Sequence, residues 1–341
     1  MKILFVFLFA AFHLIAAPVE TFYGTLEITE PVLLELIESN PMQRLKKLHQ
    51  YGVAYYTTHK EEYNRYDHSV GVFAILRIKG MSLKEQIAGL LHDVSHTAFS
   101  HVGDYLFRME EAKDSYQDGI HEWYLKASGI GAILKKHGYE IRDVLPKAGQ
   151  FEALEKELPN LCADRIDYNL QGAFYRGFLS KVEAKEILDQ LVFKEGEWIA
   201  PDTEALRKMA RFSVFMTMDC WSSPHNYFTS HALSQALRRA VELKLISKED
   251  IFFGVDEDLW KKLIDSKDAQ IRESMQKTLQ ATDYFSIENG GEAKVKLKFR
   301  GIDPKLPNGK RLTDSDPIYA KQYGEAKQKI AQGWTIKEKN K

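Results

Sequence analysis

The sequence predicts a mainly α fold with a small α+β region at its C-terminal end. Three observations carry that expectation. Apolar residues recur at helical spacing along most of the chain. Hydroxyl residues stand where helices would begin. Strand-like alternation is confined to two short stretches. At roughly 150 residues per domain, 341 residues point to about two structural units.

Residues 1–17, MKILFVFLFAAFHLIAA, open with Lys2 and continue as an apolar run broken by His13. The run is shorter than the roughly 20 residues of a membrane span. It suits a signal peptide or an N-terminal anchor, with Ala16 and Ala17 near a cleavage point. Cleavage would make the protein exported; without it, a cytoplasmic location follows. No later stretch reaches membrane-spanning length.

Thr29-Glu30-Pro31 reads as a helix start, with a hydroxyl N-cap and proline in the first turn. Leu33, Leu34, Leu36 and Ile37 follow on a helical face. Ser82-Leu83-Lys84-Glu85 has the form of a capping box. Leu83, Ile87, Leu90 and Leu91 then recur at helical spacing up to His92-Asp93. Another helical run passes through Asp164 and Tyr168. Leu233, Ala236, Leu237, Ala240 and Val241 predict an amphipathic helix, and Ser247 caps the next. Gln190 to Ala200 predicts a short hairpin turning at Gly196. Ala293 to Phe299 alternates and predicts a half-buried strand with a lysine face, after a Gly290-Gly291 loop. The polar tail from Lys337 to Lys341 reads as frayed. These boundaries divide the chain into 1–17, a helical domain over 18–255, and a C-terminal α+β region with polar tail over 256–341.

Lys and Arg number 47 against 48 Asp and Glu, a net charge of −1. That balance argues against nucleic acid or membrane as a partner bound through net charge. Apolar residues at 44% supply a real core. Cys162 and Cys220 are too few for a disulfide scaffold and read as buried thiols.

Chemistry concentrates in the histidines. His68, His92, His96, His101 and His121 fall within 54 residues. His92-Asp93 at a helix end offers imidazole and carboxylate to one ion. His68 and Asp164 lie on other predicted helices, and all four could converge in a bundle core on a divalent ion, whether Mn, Fe, Zn, Ni or Mg. Arg65 and Arg165 flank these ligands, and guanidinium groups suit phosphate oxygens. A metal, arginines and further imidazoles together point to hydrolysis of a phosphate ester. His49, His59 and His137 lack such surroundings and read as surface residues; His225 reads as a loop residue.

The ordered series Met42 to Leu45, Gln50-Tyr51-Gly52, Arg65 to Gly71, His92 to His101, His121-Glu122 and Asp164 to Tyr168 resembles the HD-domain superfamily. Within it, the chain is most similar to the dNTP triphosphohydrolase branch. The resemblance spans about residues 25–245 and implies an HD-domain helical bundle. It implies His68, His92, Asp93 and Asp164 as metal ligands, and Arg65 and Arg165 on phosphates. Gln50 would touch the sugar and Tyr168 would line the pocket. His101, held by Asp104, would protonate the leaving oxygen, while His96 and His121 would orient phosphate and water. The implied reaction is metal-assisted attack on the α-phosphorus of a small-molecule nucleotide or related phosphate ester, in a homo-oligomer. Gly172 stands where a further polar sugar contact is expected. Two other readings compete. One is a di-iron oxygenase in which His96 and His121 join as extra ligands. The other is a non-catalytic metal-binding module.

Overall fold

The computed structural model of the protein describes residues 16–60, 63–107, 115–146, 149–288, 295 and 297–339. Eighteen α-helices and three two-stranded antiparallel sheets occur among them. The mainly α expectation holds. The leader expectation falls mostly on residues 1–15, outside the described residues. Ala17 already pairs with Ile28, in a hairpin of Ala17–Thr21 with Gly24–Ile28 that periodicity did not announce. Among the described residues no helix is long and apolar enough to cross a membrane.

The helix Arg65–Ile78 forms the centre of the core. Asn64 caps it by accepting from the Asp67 N–H at 2.9 Å. Its residues from Ser69 to Leu76 are all buried, which is what a helix surrounded by others requires. It packs on Leu83–Leu91 and on Ala163–Tyr175. These three helices carry His68, bring His92 to a helix end, and carry Asp164.

Ser82 caps the Leu83–Leu91 helix through the Glu85 N–H, as expected. The Glu85 carboxylate does not complete the box. It accepts instead from the Ala153 and Leu154 N–H groups, at 3.0 and 3.2 Å, and so ties a distant loop to the helix start. The helix at Pro31–Glu38 starts where predicted, but its cap position is Glu30 and no side chain caps it.

A second apolar core lies among Leu233, Leu237, Ile251, Leu259 and Ile271. The segment after His92 joins the two cores, with Val94 in the first and Phe99 and Val102 in the second. The catalytic-looking segment is therefore held from both sides. Helix Glu204–Met216 runs into a π-helical turn, Thr217–Trp221, and then into helix Pro224–Glu242.

The C-terminal residues Ile302, Leu306, Leu312 and Tyr319 are buried in the first core. The hairpin Val192–Lys194 with Glu197–Ile199 forms as predicted. The strand expected over Ala293–Phe299 falls partly outside the described residues. Of the remainder, Val295 bridges to Trp334, and Leu297 to Arg300 are irregular. The tail is not frayed at Lys337: Thr335–Glu338 pairs with Phe285–Glu288. Cys162 and Cys220 are buried free thiols.

Candidate metal centre

His68 Nε2 lies 3.2 Å from His92 Nε2 and 3.0 Å from Asp164 Oδ1, and His92 Nε2 lies 3.5 Å from the same oxygen. Ligand atoms of all three residues fall within 4.8 Å of one another, and both imidazoles are buried. The other ring nitrogens are already committed. His92 Nδ1 donates to the Gly89 carbonyl at 2.7 Å, and His68 Nδ1 donates to Asp167 Oδ2 at 2.7 Å. Those outer bonds set both tautomers, so two Nε2 lone pairs and a carboxylate face one point. Lone pairs so close repel unless a cation lies among them, either a proton or a metal ion. The donor set, two imidazoles and a carboxylate, suits a divalent transition ion.

The pull on a proton reports the same field. Burial works against protonation of His68, yet Asp164 and Asp167 raise its pKa to about 10. Burial also opposes His92, and Asp93 with Asp164 raise it. The Asp164 carboxyl is desolvated, which would raise its pKa, but the two imidazoles hold it well below its usual range.

Asp167 was not foreseen as a site residue. It is fully buried and accepts from the Tyr23 hydroxyl at 2.9 Å, the Tyr63 hydroxyl at 3.3 Å and Gln171 Nε2 at 2.9 Å. Its position three residues after Asp164 on one helix was the available signal. Gly71 makes room for it: a Cβ there would lie 2.0 Å from Asp167 Oδ1.

Asp93 stands at the edge of this group. Its carboxylate is 3.6 Å from both His68 Nε2 and His92 Nε2, but it is ion-paired to Arg65 Nη1. Arg65 is itself buried and also donates from Nε to the Ser100 hydroxyl at 2.7 Å. Its Nε and Nη1 are thus engaged by the protein. Phe99 and Ser100 adopt left-handed backbone, with φ of 59° and 57°, which non-glycine residues rarely do. Buried Asp256 pins that turn by accepting from the Phe99 N–H at 2.7 Å and the His49 N–H at 2.9 Å.

A second set of imidazoles stands beside the first. His96 Nε2 is 3.2 Å from Asp93 Oδ1, while His96 Nδ1 is buried with no hydrogen-bond partner among the described residues. Burial and nearby Arg65 lower His96 to about 3. His121 Nδ1 is 2.7 Å from the Ser95 hydroxyl, which accepts from Gln117 Nε2 at 2.8 Å. The Ser95 proton is therefore free to donate to Nδ1, leaving the His121 proton on Nε2, an atom with no partner among the described residues. Burial and the His92 charge lower His121 to about 4. His101 is exposed; its Nδ1 is 3.3 Å from Asp104 Oδ2, and its ring centre is 5.1 Å from that of His96.

Arg165 Nη1 donates to the Asn160 carbonyl at 2.9 Å. The Tyr168 ring lies 6.4 Å from His68 and 5.1 Å from Trp221. Gln50 Oε1 is buried and unpartnered among the described residues. No polar side chain could replace Gly172, because a Cβ there would lie 2.8 Å from Phe212 and 3.0 Å from the Tyr51 oxygen. His59 is buried, 3.4 Å from Asp219, and is not the surface residue expected. His225 belongs to the helix Pro224–Glu242 rather than a loop.

The HD domain family model matches residues 65–168, a span that includes His68, His92, Asp93 and Asp164. The chain is 34% identical over 318 residues to the uncharacterized protein YdhJ of Bacillus subtilis, covering 92% of this chain and 97% of that protein. This chain belongs to the HD-domain family. It is also 29% identical over 313 residues to the metal-dependent phosphohydrolase cns2 of Cordyceps militaris, covering 90% of this chain and 89% of cns2. A shorter match, 30% identical over 137 residues, is to the deoxynucleoside triphosphate triphosphohydrolase SAMHD1 of Bos taurus, covering 34% of this chain and 23% of that protein. The HD-domain fold is shared with a solved phosphohydrolase from Bacteroides thetaiotaomicron, at a TM-score of 0.63 and 16% identity, covering 89% of this chain and 95% of that one.

Proposed function

We propose that this HD-domain chain is a metal-dependent phosphohydrolase whose substrate is a (deoxy)nucleoside triphosphate or a closely related phosphate ester. One observation carries the reading: the lone pairs of His68, His92 and Asp164 converge on one buried point while neutral imidazoles and Arg165 stand alongside. His68, His92 and Asp164 would hold the ion, with Asp93 beside them. The bound ion supplies positive charge that polarises a phosphoryl oxygen and eases ionisation of water.

The chain's own residues do the rest. Asp167 keeps the His68 proton on Nδ1 and its lone pair inward. His96, neutral at physiological pH, offers Nδ1 as a proton acceptor. His121 offers Nε2–H to a phosphoryl oxygen. His101, steadied by Asp104, is the exposed acid placed to protonate a leaving oxygen. Arg165 takes a phosphate, and Gln50 and Tyr168 contact the nucleoside. The likeness to SAMHD1 supports the nucleotide reading. The di-iron reading gains no support, because among the described residues His96 and His121 join no second cluster of ligand atoms.

The test is turnover by the full chain loaded with Mn²⁺, given the four dNTPs and followed by ³¹P NMR. Free triphosphate supports attack at the α-phosphorus. Orthophosphate or pyrophosphate keeps the phosphohydrolase reading and moves the cut. No hydrolysis of any nucleotide or simple phosphate ester overturns it in favour of a non-catalytic metal module.

A further inference from the structure

The hairpin of Ala17–Thr21 with Gly24–Ile28 turns through Phe22 and Tyr23 alone, since Thr21 pairs with Gly24. Hairpin turns this tight favour Asn, Asp and Gly. Two aromatic rings here work against local turn chemistry, and such conflicts mark places where tertiary contacts decide. Those contacts are present. The Phe22 ring lies 5.3 Å from Phe174, on the helix Ala163–Tyr175 that carries Asp164. The Tyr23 hydroxyl donates to Oδ1 of fully buried Asp167 at 2.9 Å. Tyr23 is itself anchored: its N–H donates to Thr21 Oγ1 at 3.1 Å, and Thr21 Oγ1 donates to the Gly24 carbonyl at 2.7 Å. At the other end of the hairpin, Val19 and Ile28 are buried in the first core.

Asp167 connects this tip to the metal centre. Its Oδ2 lies 2.7 Å from His68 Nδ1, and the Tyr63 hydroxyl donates to Oδ2 at 3.3 Å. Gln171 Nε2 donates to Oδ1 at 2.9 Å. Among the described residues no arginine or lysine pairs with Asp167, and His68 is its ionic partner. A buried carboxylate shielded from water depends on each such donor to hold its charge and its orientation. Tyr23 and Gln171 fix Oδ1, which keeps Oδ2 on the imidazole. Burial, and then the Asp167 charge, push the Tyr23 pKa well above that of an ordinary phenol, so the hydroxyl stays a donor. The path from turn to triad is therefore short: Tyr23 hydroxyl, Asp167 carboxylate, then the His68 ring whose Nε2 faces His92 and Asp164.

We infer that the Phe22-Tyr23 tip docks on the metal centre, with Tyr23 a positioning residue that acts through Asp167 on His68, so that hairpin docking and metal loading are coupled. The inference rests on the metal-binding reading and is independent of which phosphate ester is cut. Undocking the tip takes a donor from Asp167 and loosens the His68 ring, and the ion binds more weakly. By linkage, the bound ion holds the tip down by the same factor. The Tyr63 hydroxyl supports the same carboxylate from outside the hairpin, so it aids metal binding without joining the tip to it.

The probe is Mn²⁺ alone, titrated into the full chain against a chelating dye, with hydrogen–deuterium exchange followed on the hairpin. Tyr23→Phe removes only the hydroxyl and weakens Mn²⁺ binding at least about threefold. Affinity is read on the folded chain, so a change that merely lowers stability leaves it unmoved. In the wild type, Mn²⁺ slows exchange over residues 17–28 at least about threefold more than over the hairpin at 192–199, and in Tyr23→Phe that excess disappears. Tyr63→Phe also weakens Mn²⁺ but keeps the excess, which separates support of the carboxylate from docking of the tip. Equal Mn²⁺ affinity in the wild type and Tyr23→Phe, or hairpin exchange indifferent to the ion, overturns the inference. No Mn²⁺ binding by the wild type overturns the metal reading and the inference together. Tyr23-dependent Mn²⁺ binding without any hydrolysis sustains the inference and overturns the phosphohydrolase reading alone.

Discussion

His68 and His92 are 1% and 7% exposed, and His96 and His121 are 3% and 5% exposed. Equal burial leaves them in opposite states. The first pair is drawn toward positive charge, the second held neutral. The difference lies in partners. Asp164 and Asp167 face the first pair, whereas His121 meets a hydroxyl, and His96 shares Asp93 with an arginine. Within one pocket, carboxylate placement divides the imidazoles into those drawn toward positive charge and those held neutral.

The largest effect comes from breaking the cation-holding side. His92→Ala or Asp164→Ala reduces bound metal to background by elemental analysis and lowers turnover by at least about a thousandfold. Retained metal in either variant would sink the ligand assignment. Loss of the outer support is milder. Asp167→Asn weakens metal binding about 10- to 100-fold in competition with a chelator. Gly71→Ala reaches the same carboxylate from the other side. It lowers metal affinity and costs about 1–3 kcal/mol of stability by denaturant unfolding.

The neutral side is tested by pH. His121 titrates near 4 in the folded chain, below an unfolded imidazole near 6.5. The stability it contributes is present above pH 6.5 and is lost as pH falls through about 4. Complete titration removes about 3 kcal/mol. The wild-type unfolding midpoint therefore falls more steeply between pH 7 and 4.5 than that of His121→Asn. Parallel curves would mean that His121 is not held neutral. The smallest effect is at Glu122, next in sequence but exposed and paired with Lys126 at 2.7 Å. Glu122→Ala changes stability by at most about 0.5 kcal/mol and leaves turnover intact.

The convergence of His68, His92 and Asp164 was legible because histidine and aspartate advertise their chemistry and the surrounding helices announce themselves by period and cap. Ser247 caps its helix, as read from the sequence, and Asp250 completes a box that was not read. Partners were less legible. That Arg65 spends its fork on Asp93 and Ser100, or that Asp167 stands behind His68, depends on contacts between helices distant in sequence. The pairing of Phe285–Glu288 with Thr335–Glu338 was hidden for the same reason. A short polar strand shows little alternation, and its partner is decided by the fold around it.

Asp256 gives the boundary after residue 255 a practical meaning. A fragment ending there would keep His68, His92, Asp93 and Asp164 and would look complete by motif. It would lack the one carboxylate that fastens the Phe99 and His49 backbones, and with it the support for the left-handed turn beneath Arg65. Anyone trimming the chain for expression, or grafting its candidate ligands onto another scaffold, would carry away the motif and leave behind the clasp on the turn that supports Arg65.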